Sequence, residues 1–344
     1  MKVLMLNRRA LAVLCLSLLA APSWAQSTNA GDTPPPVSAS AETAEAVPEQ
    51  ILVVAQKPGP GMWKVSKGEH VLWIFGTYSP LPTRMAWRSH EVEAVIGRSQ
   101  EYLPPPSSKL EMSYFQTALA LPSLIGVNRN PNDATLRDVL PPEVYARWLP
   151  LKEKYLPKNK EKDRPLFVAY ELFGAAMKQA GLMTGNDVRK QVEKMVAQKK
   201  LKVTPTLYQL KVDNPRQLVQ EFKKSPLEDV ACFSYTLKQL ETDIEAMRVR
   251  AHAWATGDIE VIRRLDFSEQ ESCSNAIRNS AVLREHPAFQ GAEEKHRAMW
   301  LANAEAALAR NASTFAVLPM KDLLDPKGLM AALAAKGYTV AQPE

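Results

Sequence analysis

The stretch VLWIFGTYSPLPT, from Val71 to Thr83, decides the fold class because an apolar run stops abruptly inside it. Val71 to Phe75 are all apolar, and a polar loop bounded by prolines follows Gly76. Continuous apolar runs of this length are typical of strands buried on both faces of an α/β sheet. In such folds the loops after the strands carry the chemistry. This loop begins Gly-Thr-Tyr-Ser, so a site is expected where no histidine, carboxylate or lysine stands.

Strands at both ends of the chain indicate one mixed sheet. The N-terminal pattern predicts a hairpin of Met62–Val65 and Val71–Gly76 around Ser66–Glu69, a helix capped by Ser89 with Val92, Val95 and Ile96 on its apolar face, and a strand Glu101–Leu103 stopped by Pro104, Pro105 and Pro106. The C-terminal pattern predicts a helix over Ala292–Ala309, a strand over Thr314–Leu318, a helix over Gly328–Lys336 ending at Gly337, and a strand over Tyr338–Val340. The prediction is an α/β fold whose central mixed β-sheet is formed from N- and C-terminal segments and flanked by helices.

The middle of the chain is predicted to be helical. Amphipathic patterns cover Pro141–Leu156 and Leu166–Ala180, and Asn186 is placed to cap a third helix. Over Pro226–Trp254 apolar residues recur every three or four positions, which predicts one long continuous helix that ends before Gly257. This large helical middle region is expected to pack over the sheet.

The first 60 residues have the features of an export signal followed by a linker. A basic start and a short apolar segment precede small residues at a cleavage site after Ala25. Residues 26–60 are rich in Pro, Ala, Ser, Thr and Glu, a composition that favours a disordered tether. We therefore expect a signal peptide over 1–25, a tether over 26–60 and a folded domain over 61–344. The protein is expected to be periplasmic or secreted after signal-peptide cleavage.

The charge of the chain argues against nucleic acid as a partner. The formal net charge is +6, and three of the positive charges belong to the expected signal peptide. The most basic patch, Lys194–Lys202, has no interleaved aromatic residues and is interpreted as a solvated helix end. No apolar segment after the signal reaches the ~20 residues that a membrane span requires, so we expect no span in the mature chain.

Cys232 and Cys273 are the two cysteines that follow the signal segment. An even pair in an oxidising compartment predicts a disulfide. The bridge would close a loop of about 40 residues and contribute roughly 3 to 4 kcal/mol in the chain-entropy model. Two buried free thiols are the alternative.

Three stretches of the domain occur in a distinctive order between Gly61 and Val340: MWKVSKGEHVLWIFGTYSPLP followed by WRS, then AWATGDIEVIRRL, then NASTFAVLPMKDLLDPKGLMAALAAKGYTV. They resemble, respectively, the opening of the TraB/PrgY/GumN family of exported proteins, the segment after its long helix, and its closing strand, loop, helix and strand. The similarity covers nearly the whole predicted domain.

The resemblance implies a metal-dependent peptidase site in the active relatives, with two Gly-x-x-His motifs and a glutamate after the next strand. Two imidazoles and a carboxylate can hold a divalent metal and activate a water molecule. This chain keeps Gly76 but has Ser79 at the first histidine position. Pro319 and Asp322 occupy the second glycine and histidine positions, and the glutamate position falls within the triple proline. We therefore expect no cofactor, the ancestral divalent metal having been lost.

No catalytic residue is predicted, and the motif positions are interpreted as a vestigial cleft. Its candidate residues are Gly76, Thr77, Tyr78, Ser79, Pro319, Met320 and Asp322. A serine nucleophile at Ser79 facing Asp322 lacks an adjacent base, and GTYSP is not a G-x-S-x-G elbow. The histidines form no metal-binding motif; they are His70, His90, His252, His286 and His296.

The resulting hypothesis is an exported, catalytically inactive member of this family that binds or regulates. Its cleft would take an unknown peptide, protein or small-molecule ligand. One alternative is a hydrolase with non-standard residues, either a metal-dependent peptidase acting through Asp322 or an esterase acting through Ser79. The other alternative is a structural partner in an envelope or polysaccharide-export assembly.

Overall fold

The computed structural model describes residues 59–158, 161–185, 187–264 and 272–343, all within one compact unit, Val54–Glu344. The predicted signal peptide, nearly all of the tether and the cap at Asn186 lie outside the described residues. No helix in the described part of the chain is both long and apolar enough to cross a membrane.

A mixed sheet of six strands forms the centre of the domain, in the order β10–β1–β2–β9–β4–β7. The strand bounds are β1 Met62–Lys67, β2 His70–Thr77, β3 Leu81–Pro82, β4 Glu101–Leu103, β5 Ser107–Glu111, β6 Leu182–Met183, β7 Lys202–Val203, β8 Leu207–Lys211, β9 Ser313–Pro319 and β10 Thr339–Ala341. Strands β2, β9, β4 and β7 run parallel, whereas β1 pairs antiparallel with both β2 and β10. The predicted sheet from both ends of the chain is therefore confirmed.

The opening hairpin is tighter than its sequence suggested. Lys67 pairs with His70, so the turn consists of Gly68 and Glu69 alone. Gly68 has a φ of +61°, which a residue without a Cβ adopts without strain. Both strands therefore extend into the segment predicted as a turn.

Each helix that the apolar patterns predicted is present, with one exception, and further helices that were not predicted lie between them. Their bounds are α1 His90–Arg98, α2 Tyr114–Ala120, α3 Leu136–Val139, α4 Pro142–Tyr155, α5 Pro165–Gln179, α6 Asp187–Gln198, α7 Pro215–Lys224, α8 Val230–Thr242, α9 Ile244–Ala255, α10 Ile259–Arg263, α11 Ser272–Arg278, α12 Ala281–Glu285, α13 Ala292–Arg310, α14 Met320–Leu324 and α15 Leu329–Ala335. One hydrophobic core surrounds the sheet, and a second lies among the middle helices.

The single long helix predicted over Pro226–Trp254 is wrong. The helical segment starts at Val230, and it breaks at Asp243, where φ is −116° and ψ is 0°. The Thr242 hydroxyl donates to the Lys238 carbonyl at 2.8 Å, a side-chain-to-backbone bond of the kind that often bends a helix. The apolar stripe is still buried along most of its length, but α8 contributes to the core of the middle helices and Trp254 to the core of the sheet.

The predicted disulfide is present between Cys232 on α8 and Cys273 on α11, with the two Cα atoms 4.4 Å apart. Cys232 is fully buried, and Cys273 is partly buried against the core of the middle helices. The two cysteines are 41 residues apart in sequence, and the bridge links α11 to α8, a helix of the core of the middle helices.

Candidate functional site

The two loops that the sequence singled out leave the same edge of the sheet. Strands β2 and β9 are parallel neighbours in which Gly76 pairs with Leu318 and Thr77 with Pro319. Their carboxyl ends therefore open side by side, as ligand sites in α/β sheets require. A cleft of about 680 Å³ lies there. The loop residues that line it are Thr77, Tyr78, Ser79, Pro319, Met320 and Lys321.

Gly76 lies beneath this cleft rather than in its wall. A Cβ atom at this position would lie 2.5 Å from the Met320 Sδ and 2.9 Å from the Leu323 Cδ1. Its carbonyl oxygen accepts a hydrogen bond of 2.8 Å from the Trp254 indole nitrogen. The glycine therefore allows α14 to pack directly on the end of β2, which closes the floor of the cleft.

Ser79 and Asp322 do not form a nucleophile and its partner in the described structure. Ser79 is exposed on the loop before a cis Pro80, and none of the described residues hydrogen-bonds to its hydroxyl. Asp322 is half-buried on α14 and does not line the cleft. A serine hydroxyl needs an adjacent base to become nucleophilic, and the described residues supply none.

The donors along the cleft do not fit a divalent metal. Within the described lining, Asp187 is the single carboxylate, and it pairs with Lys190 at 2.9 Å. Hydroxyls, a thioether and prolines make up most of the loop wall, whereas zinc and related ions are held by several imidazoles, thiolates or carboxylates. The residues described here contain no cluster of three or more His, Cys, Asp or Glu that could hold a metal ion. His70, at the start of β2, bonds to the Leu308 carbonyl at the opposite end of the strand.

A buried carboxylate does occur on the sheet, at that opposite end. Glu101, the first residue of β4, is 1% exposed and accepts hydrogen bonds from Thr204, Arg310 and Asn311, the last two at 2.8 and 2.7 Å. Burial alone would raise its pKa, but the hydrogen bonds from these three side chains lower the pKa of Glu101 to about 2. Its lone pairs are occupied by protein donors, so we interpret Glu101 as structural.

The far wall of the cleft comes from segments that the sequence reasoning did not assign to the site. It includes Arg84 from the loop after β3, Asp187, Arg189, Lys190 and Gln191 from the first turns of α6, and Met183 from β6. Arg189 pairs with Glu193 at 2.8 Å, whereas none of the described residues forms an ion pair with Arg84. Cations therefore outnumber carboxylates along the cleft. No local pattern signals these residues, because only the packing of α6 against the sheet brings them there.

A second cavity of about 470 Å³ lies on the other side of the β2 loop, and Tyr78 and Ser79 line both. Its remaining walls come from the middle helices, with aromatic residues from α5 and Arg250 from α9. Burial raises the pKa of Tyr78, and the neighbouring Arg250 lowers it by a smaller amount. The GTYS loop thus forms a partition between two pockets.

The fold and the site define the class: an α/β domain with a mixed sheet and a cleft between the loops that follow β2 and β9. The chain belongs to the TraB/PrgY/gumN family, whose family model matches residues 61–342. The resemblance inferred from the sequence is confirmed over nearly the whole domain. A comparison with curated proteins and one with solved structures each produced no significant match.

Proposed function

We propose that this family member is an exported protein that binds a ligand in the sheet-edge cleft and does not catalyse a reaction. The observation behind the proposal is the chemistry of the cleft wall. The two strand ends that would supply metal ligands present hydroxyl, thioether, proline and lysine side chains, and the one lining carboxylate is paired with Lys190. Such a wall can hydrogen-bond and attract a ligand, but it lacks the donors for an activated water.

The cleft is suited to a ligand that carries negative charge. Arg84, Arg189, Lys190 and Lys321 line it against one acid, Asp187. Thr77 and Tyr78 add hydroxyl groups where the two strand-end loops meet. A groove lined by charge of one sign concentrates counter-charged ligands and raises their association rate. The bound molecule would therefore be an acidic peptide segment, an acidic protein loop or a small anion.

Export is supported by the N-terminal sequence and by the Cys232–Cys273 bridge. Disulfides persist in oxidising compartments and are rare in the reducing cytosol. The expected mature N-terminus is residue 26, and mass spectrometry of the protein from the cell envelope fraction measures it directly. An intact chain that starts at Met1 and remains in the cytoplasm would contradict this part of the proposal.

The test of the binding role is metal content and hydrolysis, measured on residues 26–344 purified without immobilised metal. We expect zinc, manganese and cobalt far below one atom per chain, and no turnover of peptide or ester libraries after any of these metals is added. Stoichiometric metal together with hydrolysis that is lost in Asp322→Ala or in Ser79→Ala would establish the hydrolase alternative instead.

A variant with a filled cleft distinguishes ligand binding from the alternative role as a structural partner in an envelope assembly. Ser79 is exposed and lines both cavities, so Ser79→Trp is expected to occupy the space without disturbing the core. A ligand held in the cleft should be lost in this variant. An envelope partner that co-purifies equally well with Ser79→Trp would favour a role in assembly.

A further inference from the structure

The second cavity contains a cation for which the described residues supply no counter-charge. Arg250 lines it from α9, and its Nε atom is buried without a hydrogen-bond partner. Within the described parts of the chain, no carboxylate lies within ion-pair distance of its guanidinium. Arg248, two residues earlier on the same helix, shows the usual arrangement: it pairs with Glu245 at 2.8 Å and donates to the Ala180 carbonyl at 2.7 Å. The guanidinium is half-buried, and the neutral Tyr78 hydroxyl is a hydrogen-bonding neighbour that does not balance its charge. A partly desolvated cation without a carboxylate among the described residues is costly, so Arg250 calls for an explanation.

The walls around Arg250 combine an apolar surface with a few polar groups. Phe173, Met247 and the ring of Tyr170 provide the apolar part, and none of the described lining residues is acidic. Tyr78 and Ser274 add hydroxyl groups, and Gln239 lies nearby with its amide bonded to the Tyr235 hydroxyl at 2.6 Å. Small-molecule sites have this composition, mostly apolar with a small number of placed polar groups, and volumes of ≈ 300–1,000 Å³.

We infer that this cavity is a binding site for an organic carboxylate with an aromatic or branched aliphatic body, whose acid group lies on Arg250. A guanidinium presents two parallel N–H donors that match the two oxygens of a carboxylate. The apolar body would lie against Phe173 and Met247, with the Tyr78 hydroxyl beside the acid group. A free acid and the carboxyl terminus of a peptide are the two sources of such a carboxylate, and they share this chemistry.

The inference rests on the proposed function in that both assign ligand binding to the GTYS loop. Tyr78 and Ser79 line both cavities, so an occupant of the second cavity would contact the back of the partition that forms the main cleft. The site itself depends on Arg250 and its neighbours alone. Binding at this site and catalysis in the main cleft are therefore measured separately.

The test is isothermal titration calorimetry on residues 26–344 with two acids and a neutral match. The probes are 3-phenylpropanoate for a free acid, N-acetyl-Ala-Phe for a peptide carboxyl terminus, and N-acetyl-Ala-Phe-amide, in which a neutral amide of similar shape replaces the carboxylate of the second. We expect saturable binding of at least one acid and at least tenfold weaker binding of the amide. Which acid binds more tightly identifies the source of the carboxylate.

Substitution of the arginine provides the second arm. Arg250→Gln should weaken acid binding at least tenfold, whereas the matched variant Arg248→Gln should bind as the unmodified protein does. Tyr78→Phe should cost about two- to fivefold, because it removes one hydroxyl and keeps the ring. Far-UV circular dichroism checks the fold of each variant. If Arg250→Gln does not fold, Arg250→Lys takes its place, with the charge kept but the two-donor geometry lost and binding still reduced.

Three outcomes would overturn the inference: equal affinity for the acid and the amide, equal affinity in Arg250→Gln and Arg248→Gln, or no saturable binding of either acid at millimolar concentration. None of them bears on the metal and hydrolysis measurements. Conversely, stoichiometric metal with turnover would contradict the non-catalytic role and leave the acid-to-amide comparison intact.

Discussion

Charged side chains are paired differently at the two ends of the parallel strands in the central sheet. At the amino end of β4, Glu101 is buried and saturated by Thr204, Arg310 and Asn311. At the carboxyl ends of β2 and β9, the chain leaves two cavities, and the described residues provide no ion pair for Arg84 or Arg250. A protein can satisfy its buried charges internally, as it does at the first end. Arg84 and Arg250, for which the described residues supply no carboxylate, are therefore available to an anionic ligand.

The largest effect on stability is expected from removing the charge of Glu101 at the amino end of β4. Glu101→Gln leaves the Arg310 and Lys202 cations without their carboxylate and should lower the free energy of unfolding by about 2 to 4 kcal/mol in urea titrations. Arg310 is half-exposed, so water offsets part of the loss. Glu260→Gln removes an exposed carboxylate from an arginine pair and should change stability by less than about 0.5 kcal/mol. Similar losses in both variants would contradict a structural role for Glu101.

The second-largest effect is expected from acid, which should reduce the contribution of Glu101 to the stability of the fold. The pKa of Glu101 is about 2 in the folded chain, below its ordinary value of 4.5, so its contribution is complete above pH 4.5 and is lost as the pH falls toward 2. Proton linkage over this shift amounts to at most about 3 kcal/mol. Urea titrations of the unmodified protein and of Glu101→Gln between pH 2 and 6 isolate the contribution of this group. The stability difference between the two should shrink on acidification, and a difference that stays constant would show that Glu101 is not the titrating group.

The smallest effect tests the packing at the cleft end, where α14 lies directly on the end of β2. Gly76→Ala would place a methyl group against the Met320 sulfur and should cost about 1 to 3 kcal/mol through overpacking. Gly97→Ala on α1 provides the matched control, because nothing lies within 4 Å of its added carbon. That variant should be neutral or more stable by up to about 1 kcal/mol, as expected for glycine in a helix. A stable Gly76→Ala protein would show that the floor of the cleft can yield.

The strands could be predicted because their signals are local, and the disulfide because the number of cysteines after the signal segment is even. An apolar run that ends at a glycine and alternating residues around a turn each follow from neighbouring residues. The prediction of one long helix over Pro226–Trp254 is wrong at Asp243 because the apolar residues keep the same spacing on both sides of the break. The spacing of apolar residues predicts which face of a helix is buried. It does not predict whether the helix breaks where it passes from one hydrophobic core to another.

The sequence by itself therefore determined the fold class, the family and the two loops that follow its apolar strands, because runs of neighbouring residues carry those signals. Only the tertiary structure decided what faces those loops. Arg84, in the loop after β3, and Arg250, on α9, are more than a hundred residues apart in sequence. The packing of that loop, of α6 with Lys190 and of α9 brings these cations around the GTYS loop. Such contacts depend on side chains distant in sequence, and no local periodicity encodes them.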